Sequence, residues 1–193
     1  MPIVPEFIPR KLLPVFCVLD IPMSMDEEQI TRVNTIMLEM VDLLREKANK
    51  LYSSELRIAV LQSYGTSQWL TDGLISPEDF SWQGLKASGA SNFGNTLNEL
   101  NNKLSRAQFL VSEVGFKAPV IIFMSDGEPT DDYESALNKI KSNNKWFKIA
   151  TKIAIAVGDD ANVQVLQKIA GNNEAVIKVD DLESLKKLIS WML

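Results

Sequence analysis

Residues 119–125, Pro119-Val120-Ile121-Ile122-Phe123-Met124-Ser125, form an unbroken apolar run that stops at once on Asp126-Gly127-Glu128-Pro129-Thr130-Asp131-Asp132. A short apolar run without alternation, closed by a turn signal, predicts a strand buried on both faces, as in a parallel sheet covered by helices. Upstream, Leu12-Leu13-Pro14-Val15-Phe16-Cys17-Val18-Leu19 has the same character and stops on Asp20. Two such strands, each followed by an aspartate, predict an α/β fold with carboxylates at strand ends.

The remaining pattern extends this frame. From Asp26 to Leu51 the apolar positions Ile30, Val33, Met37, Met40, Val41, Leu44, Ala48 and Leu51 recur every three or four residues, which predicts a long helix with one buried stripe. Ser24-Met25-Asp26-Glu27 before it reads as a capping box. A second strand is expected over Glu55–Tyr64, with Ser67–Thr71 hairpinned to it through Gly65-Thr66. Residues 72–89 carry Gly73, Pro77, Gly84 and Gly89 without a sustained period and read as a long surface connection. Helical spacing returns over Asn92–Val114 through Phe93, Leu97, Leu100, Leu104, Ala107 and Val111. A helix with Ala136, Leu137 and Ile140 inward, a strand over Thr151–Val157, a helix over Ala161–Ala170, a strand over Ala175–Val179 and a helix over Asp181–Leu193 complete the chain. Alternating strands and helices predict a doubly wound, mostly parallel central sheet with helices on both faces and one short antiparallel edge strand. Residues 1–11, with Pro2, Pro5 and Pro9, read as an extended arm, and residues 12–193 as a single domain.

Composition removes whole classes of chemistry. There is no histidine, so triads built on histidine and histidine metal ligands are excluded, and the one cysteine, Cys17, permits neither an intramolecular disulfide nor a cysteine zinc site. A metal must therefore be held by oxygen, which favours Mg²⁺, Mn²⁺ or Ca²⁺. The net charge of −5 disfavours nucleic acid as a partner. The longest apolar stretches are strand-sized, which argues against a membrane span. The basic pair Arg10-Lys11 follows the apolar residues of the N-terminus, the reverse of a secretory signal, so a cytoplasmic location is expected.

Ligands of doubly wound sheets bind at the carboxyl ends of the strands. Three segments fall there: Asp20-Ile21-Pro22-Met23-Ser24, Gly89-Ala90-Ser91-Asn92-Phe93-Gly94 and Ser125-Asp126-Gly127. They bring the carboxylates of Asp20 and Asp126 and the hydroxyls of Ser24 and Ser91 to one rim. Purely structural readings stand beside these. Ser24 is also an N-cap paired with Glu27, Ser91 a cap for the helix from Asn92, and Asp126 a turn residue before Gly127. Asp131 and Glu134 form a second capping-box pattern, while Asp159-Asp160 and Asp180-Asp181 precede helices and suit their N-termini. Cys17 reads as core. Trp82, in the long connection, is the expected exposed anchor for a partner.

Catalysis finds no support in these residues. A phosphatase of the two-aspartate type needs its second aspartate where Pro22 stands, Gly89-x-Ser91 has no histidine to activate the serine, and no phosphate-cradling glycine loop follows the first strand.

From about Leu12 to Leu193 the chain resembles the von Willebrand factor type A domain, a Rossmann-like fold whose metal-ion-dependent adhesion site uses an Asp-x-Ser-x-Ser loop, a distant Thr and a distant Asp. Asp20 matches the first aspartate, Ser24 the second serine, Ser91 the threonine and Asp126 the final aspartate. Pro22 stands in place of the first serine and offers no side-chain oxygen. The wording from Ile121 to Asp132 is similar to the bacterial TerY-like branch, associated with tellurite resistance and stress response. The resemblance implies a non-catalytic module that binds Mg²⁺, with Mn²⁺ or Ca²⁺ as substitutes, through Asp20, Ser24, Ser91 and, by way of water, Asp126; from their positions beside that site, Pro22 and Trp82 are expected to face the partner. The expected partner presents an Asp or Glu, and by the same resemblance is a protein kinase or PP2C-type phosphatase. The alternative is a metal-free scaffold that associates through the arm or the 72–89 connection.

Overall fold

The computed structural model describes residues 9–192. The expected arm therefore lies outside the described residues as far as Ile8, and its last residue, Lys11, already opens a strand. Six strands, β1 (Lys11–Asp20), β2 (Ser54–Ser63), β3 (Ser67–Trp69), β4 (Val120–Ser125), β5 (Thr151–Ala156) and β6 (Val176–Lys178), form one sheet in the order β3-β2-β1-β4-β5-β6. Every neighbouring pair is parallel except β2 with β3, the antiparallel edge expected from Gly65-Thr66. Among the described residues six helices surround it: α1 (Glu27–Lys50), α2 (Phe93–Lys103), α3 (Tyr133–Asn143), α4 (Lys145–Ile149), α5 (Val163–Ala170) and α6 (Leu182–Met192).

Period-two alternation sends each central strand's side chains into two separate cores. Val15, Cys17 and Leu19 of β1 and Ile122 and Met124 of β4 pack against the α1 stripe of Val33, Met37, Met40 and Leu44 and against Leu185 and Ile189 of α6. Phe16 and Val18, with Ile121 and Phe123, face Phe93 and Leu97 of α2, Leu137 and Ile140 of α3, Phe147 of α4 and Leu166 of α5. Pro14 is tolerated in a central strand because its nitrogen, like the Leu12 N–H that bonds to Gly115, faces the β4 side, and there it falls in the gap between the isolated Leu12–Phe116 bridge and the continuous ladder that begins at Val15 opposite Val120.

Several local expectations change. The α1 cap is Asp26, whose carboxylate accepts from Gln29 N while Gln29 Oε1 accepts from Asp26 N; Ser24 with Glu27 forms no box. Helix α2 stops at Lys103 rather than Val114, because the chain turns back there, with Phe109 N and Leu110 N bonding to Lys103 O and Ser105 O. Phe109 then packs edge-on to Trp69 at 4.7 Å, and Val111, expected inward, is exposed. The 72–89 connection is not a free surface loop. Ile75 pairs with Ile58 of β2, Pro77–Asp79 forms a 3-10 turn, and Phe80 enters the core beside α1.

Candidate metal centre

From β1 the chain runs to β2 on one side, and β4, on the other side of β1, begins the return through β5 to β6. That reversal of strand order is where doubly wound sheets open a crevice at their carboxyl ends. Asp20 ends β1 and Asp126 directly follows β4, so the two carboxylates stand on either side of it.

Three strands change from apolar to oxygen-bearing at the same level. Along the α2-facing side, Phe16 and Val18 lead to Asp20, Ala59 and Leu61 to Ser63, and Ile121 and Phe123 to Ser125. Asp20 pairs in register with Ser63, and Leu19 with Met124, which sets Ser125 beside Asp20. Asp20 Oδ2 accepts from Ser91 Oγ at 2.7 Å and from Ser125 Oγ at 2.9 Å. Thr96 of α2 donates to Ser63 Oγ at 2.7 Å and closes the row from above.

Asp20 Oδ1, by contrast, is buried with no hydrogen-bond partner, on a side chain with no solvent exposure. Burial of the charge pushes the Asp20 carboxyl up to about 7; the Ser91 and Ser125 hydroxyls hold it down in part, and the neighbouring Asp126 charge raises it further. A buried carboxylate oxygen without a donor is costly unless a cation or proton meets it.

Asp126 is held from several sides. Its Oδ2 accepts from Ser24 Oγ at 3.0 Å and its Oδ1 from Glu128 N at 3.1 Å, while its carbonyl accepts from Asn162 N at 2.8 Å. Gly127 makes that approach possible: its φ is +79°, and a Cβ there would stand 2.6 Å from the Asn162 carbonyl oxygen. Ser24 reaches Asp126 because Met25 N bonds to Pro22 O at 3.1 Å, a tight turn in which Pro22 is buried.

Backbone and side-chain bonds lock the three loops together. Met23 N donates to Gly89 O, and Thr130 N and Oγ1 both donate to Ser91 O, at 2.8 and 2.9 Å. Asp131 accepts from Gly94 N at 2.9 Å and Asn95 N at 3.1 Å, so it serves the first turn of α2. This corrects its expected pairing with Glu134: α3 is capped by Asp132, which accepts from Ser135 N. Ser91 likewise caps nothing, because its hydroxyl is committed to Asp20, and Asn92 occupies the N-cap position of α2.

The other acidic pairs separate in role. Asp181 caps α6 through Ser184 N, whereas Asp180 pairs with Arg32 of α1. Asp159 lies 3.5 Å from Lys178, and the cap of α5 is Asn162, not an aspartate. With Asp26, Glu27 and Glu28 exposed at the start of α1 and Glu128 exposed on the loop after β4, the surface around the two aspartates is acidic and favours the approach of a cation.

The structure thus brings together Asp20, Ser24, Ser91 and Asp126, and adds Ser125 and Ser63, which sequence reasoning had quoted or passed over without a role. The visible signal for both was the apolar alternation ending on an oxygen-bearing residue in adjacent strands. Trp82 and Pro22, expected to face a partner, do not stand exposed. Trp82 lies half-buried against the α1-side core because the connection folds back there, and its Nε1 is buried without a partner; Pro22 is buried beneath its turn. The exposed apolar side chain next to Ser24 is Met23, at 72% exposure.

All donors in the site are oxygens. Among the described residues no group of three or more His, Cys, Asp or Glu side chains could hold a metal ion, so hydroxyl, carbonyl or water oxygens would complete any coordination around the two carboxylates. This donor chemistry, with the unpartnered Asp20 Oδ1, fits a hard divalent cation.

The family model described as the von Willebrand factor type A domain matches residues 15–191. No curated protein matches the sequence. Among solved structures, the chain is similar to proximal thread matrix protein 1 from the mussel byssus with zinc-occupied MIDAS motif (17% identity, TM-score 0.63, 93% of this chain and 47% of that one). It is also similar to manganese-loaded TRAP protein from Plasmodium vivax (20%, TM-score 0.65, 93% and 72%) and to the conserved hypothetical protein BatB from Bacteroides thetaiotaomicron (16%, TM-score 0.61, 93% and 98%). The chain spans just under half the length of the mussel protein. Among the described residues no helix is long and apolar enough to cross a membrane.

Proposed function

The chain belongs to the von Willebrand factor type A domain family, and on that premise we propose that it is a non-catalytic protein-protein interaction module whose partner contact depends on a divalent cation. Asp20, Ser24, Ser91 and Asp126 would hold the ion, Mg²⁺ in the first instance, with Mn²⁺ or Ca²⁺ as substitutes. The observation that carries this reading is Asp20 Oδ1: a fully buried carboxylate oxygen with no donor, at the sheet's topological switch point. Zinc and manganese, named with the mussel and Plasmodium vivax structures, lend support to an ion here.

When bound, the ion would supply Lewis acidity toward a carboxylate. The residues set how strongly it does so. With Asp126 acting through water, only the Asp20 carboxylate would bond the dication directly, and the hydroxyls of Ser24 and Ser91 add no charge, so the ion keeps positive charge and an Asp or Glu from a partner remains an attractive further ligand. Pro22 offers no oxygen, which leaves a position for water or the partner. The absence of histidine and the proline where a phosphatase would need its second aspartate support a binding rather than a catalytic role. The resemblance of Ile121–Asp132 to the TerY-like branch supports the further proposal of a partner in a tellurite-resistance or stress-response assembly, with a kinase or PP2C-type phosphatase as the candidate.

Affinity capture with the wild-type chain in Mg²⁺ or in EDTA, beside Asp126→Ala in Mg²⁺, tests the reading. It predicts a partner retained only by the wild type with Mg²⁺ and lost when one acidic residue of that partner is changed to alanine. A partner retained equally in EDTA and by Asp126→Ala would overturn it.

A further inference from the structure

Pro22 leaves the proposed cation site one side-chain oxygen short, and a buried hydroxyl touching both carboxylates has no role assigned so far. Ser125, fully buried at the end of β4, places its Oγ 2.9 Å from Asp20 Oδ2 and 3.4 Å from Asp126 Oδ1. Ser24 and Ser91 each bond to only one of the two aspartates.

A serine hydroxyl has one proton to donate and two lone pairs. The proton goes to Asp20 Oδ2, the nearer acceptor, and one lone pair accepts the Gly127 N–H at 2.9 Å. One lone pair is left, on an atom set between two carboxylates that repel each other. The atom is also rigidly placed. Ser125 lies in register with Ala156, its carbonyl accepts from Val157 N at 3.0 Å, and Asp20 lies on its other side. A role confined to the turn explains the Gly127 contact but not the contact with Asp20.

We infer that Ser125 is a ligand of the cation and supplies the hydroxyl that Pro22 cannot, an inference that rests on the cation-dependent reading above. Ser125 reaches the site from a sheet strand, whereas a serine at position 22 would reach it from the loop after β1. The missing oxygen is thereby replaced from a stiffer element.

A change of donor atom tests this directly, because a thiol prefers soft cations and a hydroxyl hard ones. Mn²⁺ affinity, read from the electron paramagnetic resonance of free Mn²⁺, and Cd²⁺ affinity, read by competition, are measured for wild type, Ser125→Cys and Ser125→Thr. Cys17 is common to all three and buried in the core. Ser125→Cys is expected to lose roughly tenfold or more in Mn²⁺ affinity and to gain at least as much for Cd²⁺, while Ser125→Thr keeps the wild-type preference. Loss of Mn²⁺ affinity without a gain for Cd²⁺ in Ser125→Cys marks a residue that only orients a ligand and overturns the inference; the reversal of preference supports it.

Wild-type Mn²⁺ binding with an unchanged Mn²⁺-to-Cd²⁺ preference in Ser125→Cys removes this inference and leaves the proposed function standing. A wild type that binds no Mn²⁺ removes both. Should Ser125→Cys not fold, Pro22→Ser in the Ser125→Ala background decides: recovery of roughly tenfold over Ser125→Ala supports a shared ion, and no recovery overturns it.

Discussion

Ser24 donates a hydrogen bond of 3.0 Å to Asp126, a residue 102 positions later in the chain, and this bond takes Ser24 out of helix capping altogether. The helix-capping duty passes to Asp26. Asp26→Ala is therefore expected to cost about 1 kcal/mol, or about 2–4 °C in thermal midpoint. Ser24→Ala is expected to leave the metal-free midpoint almost unchanged while weakening Mn²⁺ binding. Thermal unfolding of the two metal-stripped variants checks this; equal destabilisation by both would contradict it.

Asp131 ties the loop after β4 to the first turn of α2 through Gly94 N and Asn95 N. Asp131→Ala removes both acceptor bonds and is expected to lower stability by about 1–2 kcal/mol, with Asp131→Asn milder because one oxygen remains. Chemical denaturation gives the ranking, and a variant as stable as wild type would show that the α2 terminus finds water instead.

Gly89 is conformationally constrained as well as crowded. Its φ is +65°, and a Cβ would overlap the carbonyl of Tyr64. Gly89→Ala is expected to lose about 2–4 kcal/mol, and Ser91, two residues on, would no longer be held against Asp20. Reduced Mn²⁺ affinity together with lowered stability is the expected pair of results.

Cys17 lies in the core, and burial pushes its thiol up to about 12 from an ordinary 9.0. Below pH 9 the thiol is protonated in both states and its contribution to stability is complete. Between 9 and about 12 only the unfolded chain releases the proton, so that contribution falls as pH rises. Stability of Cys17→Ala is expected to decline less steeply than that of wild type over this range. Folded protein at pH 8 should resist a thiol reagent that reacts fully in denaturant.

The strands were legible in the sequence because burial on both faces leaves continuous apolar runs, and the positions of Asp20 and Asp126 followed from where those runs stop. Asp20, Ser24, Ser91 and Asp126 come together as expected. The helix starts were less legible. Ser24-x-x-Glu27 and Asp26-x-x-Gln29 are overlapping boxes that local pattern cannot rank, and the choice is made by the contact with Asp126 from a distant loop. The end of α2 was hidden by Ala107 and Val111, which continue the helical spacing after the backbone has turned at Lys103. The half-burial of Trp82 is not legible in the sequence, because a glycine-rich connection gives no sign that Ile75 and Phe80 anchor it to β2 and α1. A role for Ser125 is not legible in its segment because its contact with Asp20 depends on strand register, which pairs Leu19 with Met124 and only then sets a hydroxyl beside Asp20.

On the proposed function, the buried carboxylate of Asp20 and its neighbours hold a divalent cation despite Pro22. Calorimetric titration of metal-stripped protein with Mn²⁺, beside Asp126→Ala, tests it most directly. Saturable one-site binding is expected in the wild type and its loss in the variant, with a gain of about 2.7 kcal/mol in stability when the ion is present at about 100 times its Kd. Absence of binding in the wild type, or equal binding by Asp126→Ala, would contradict it.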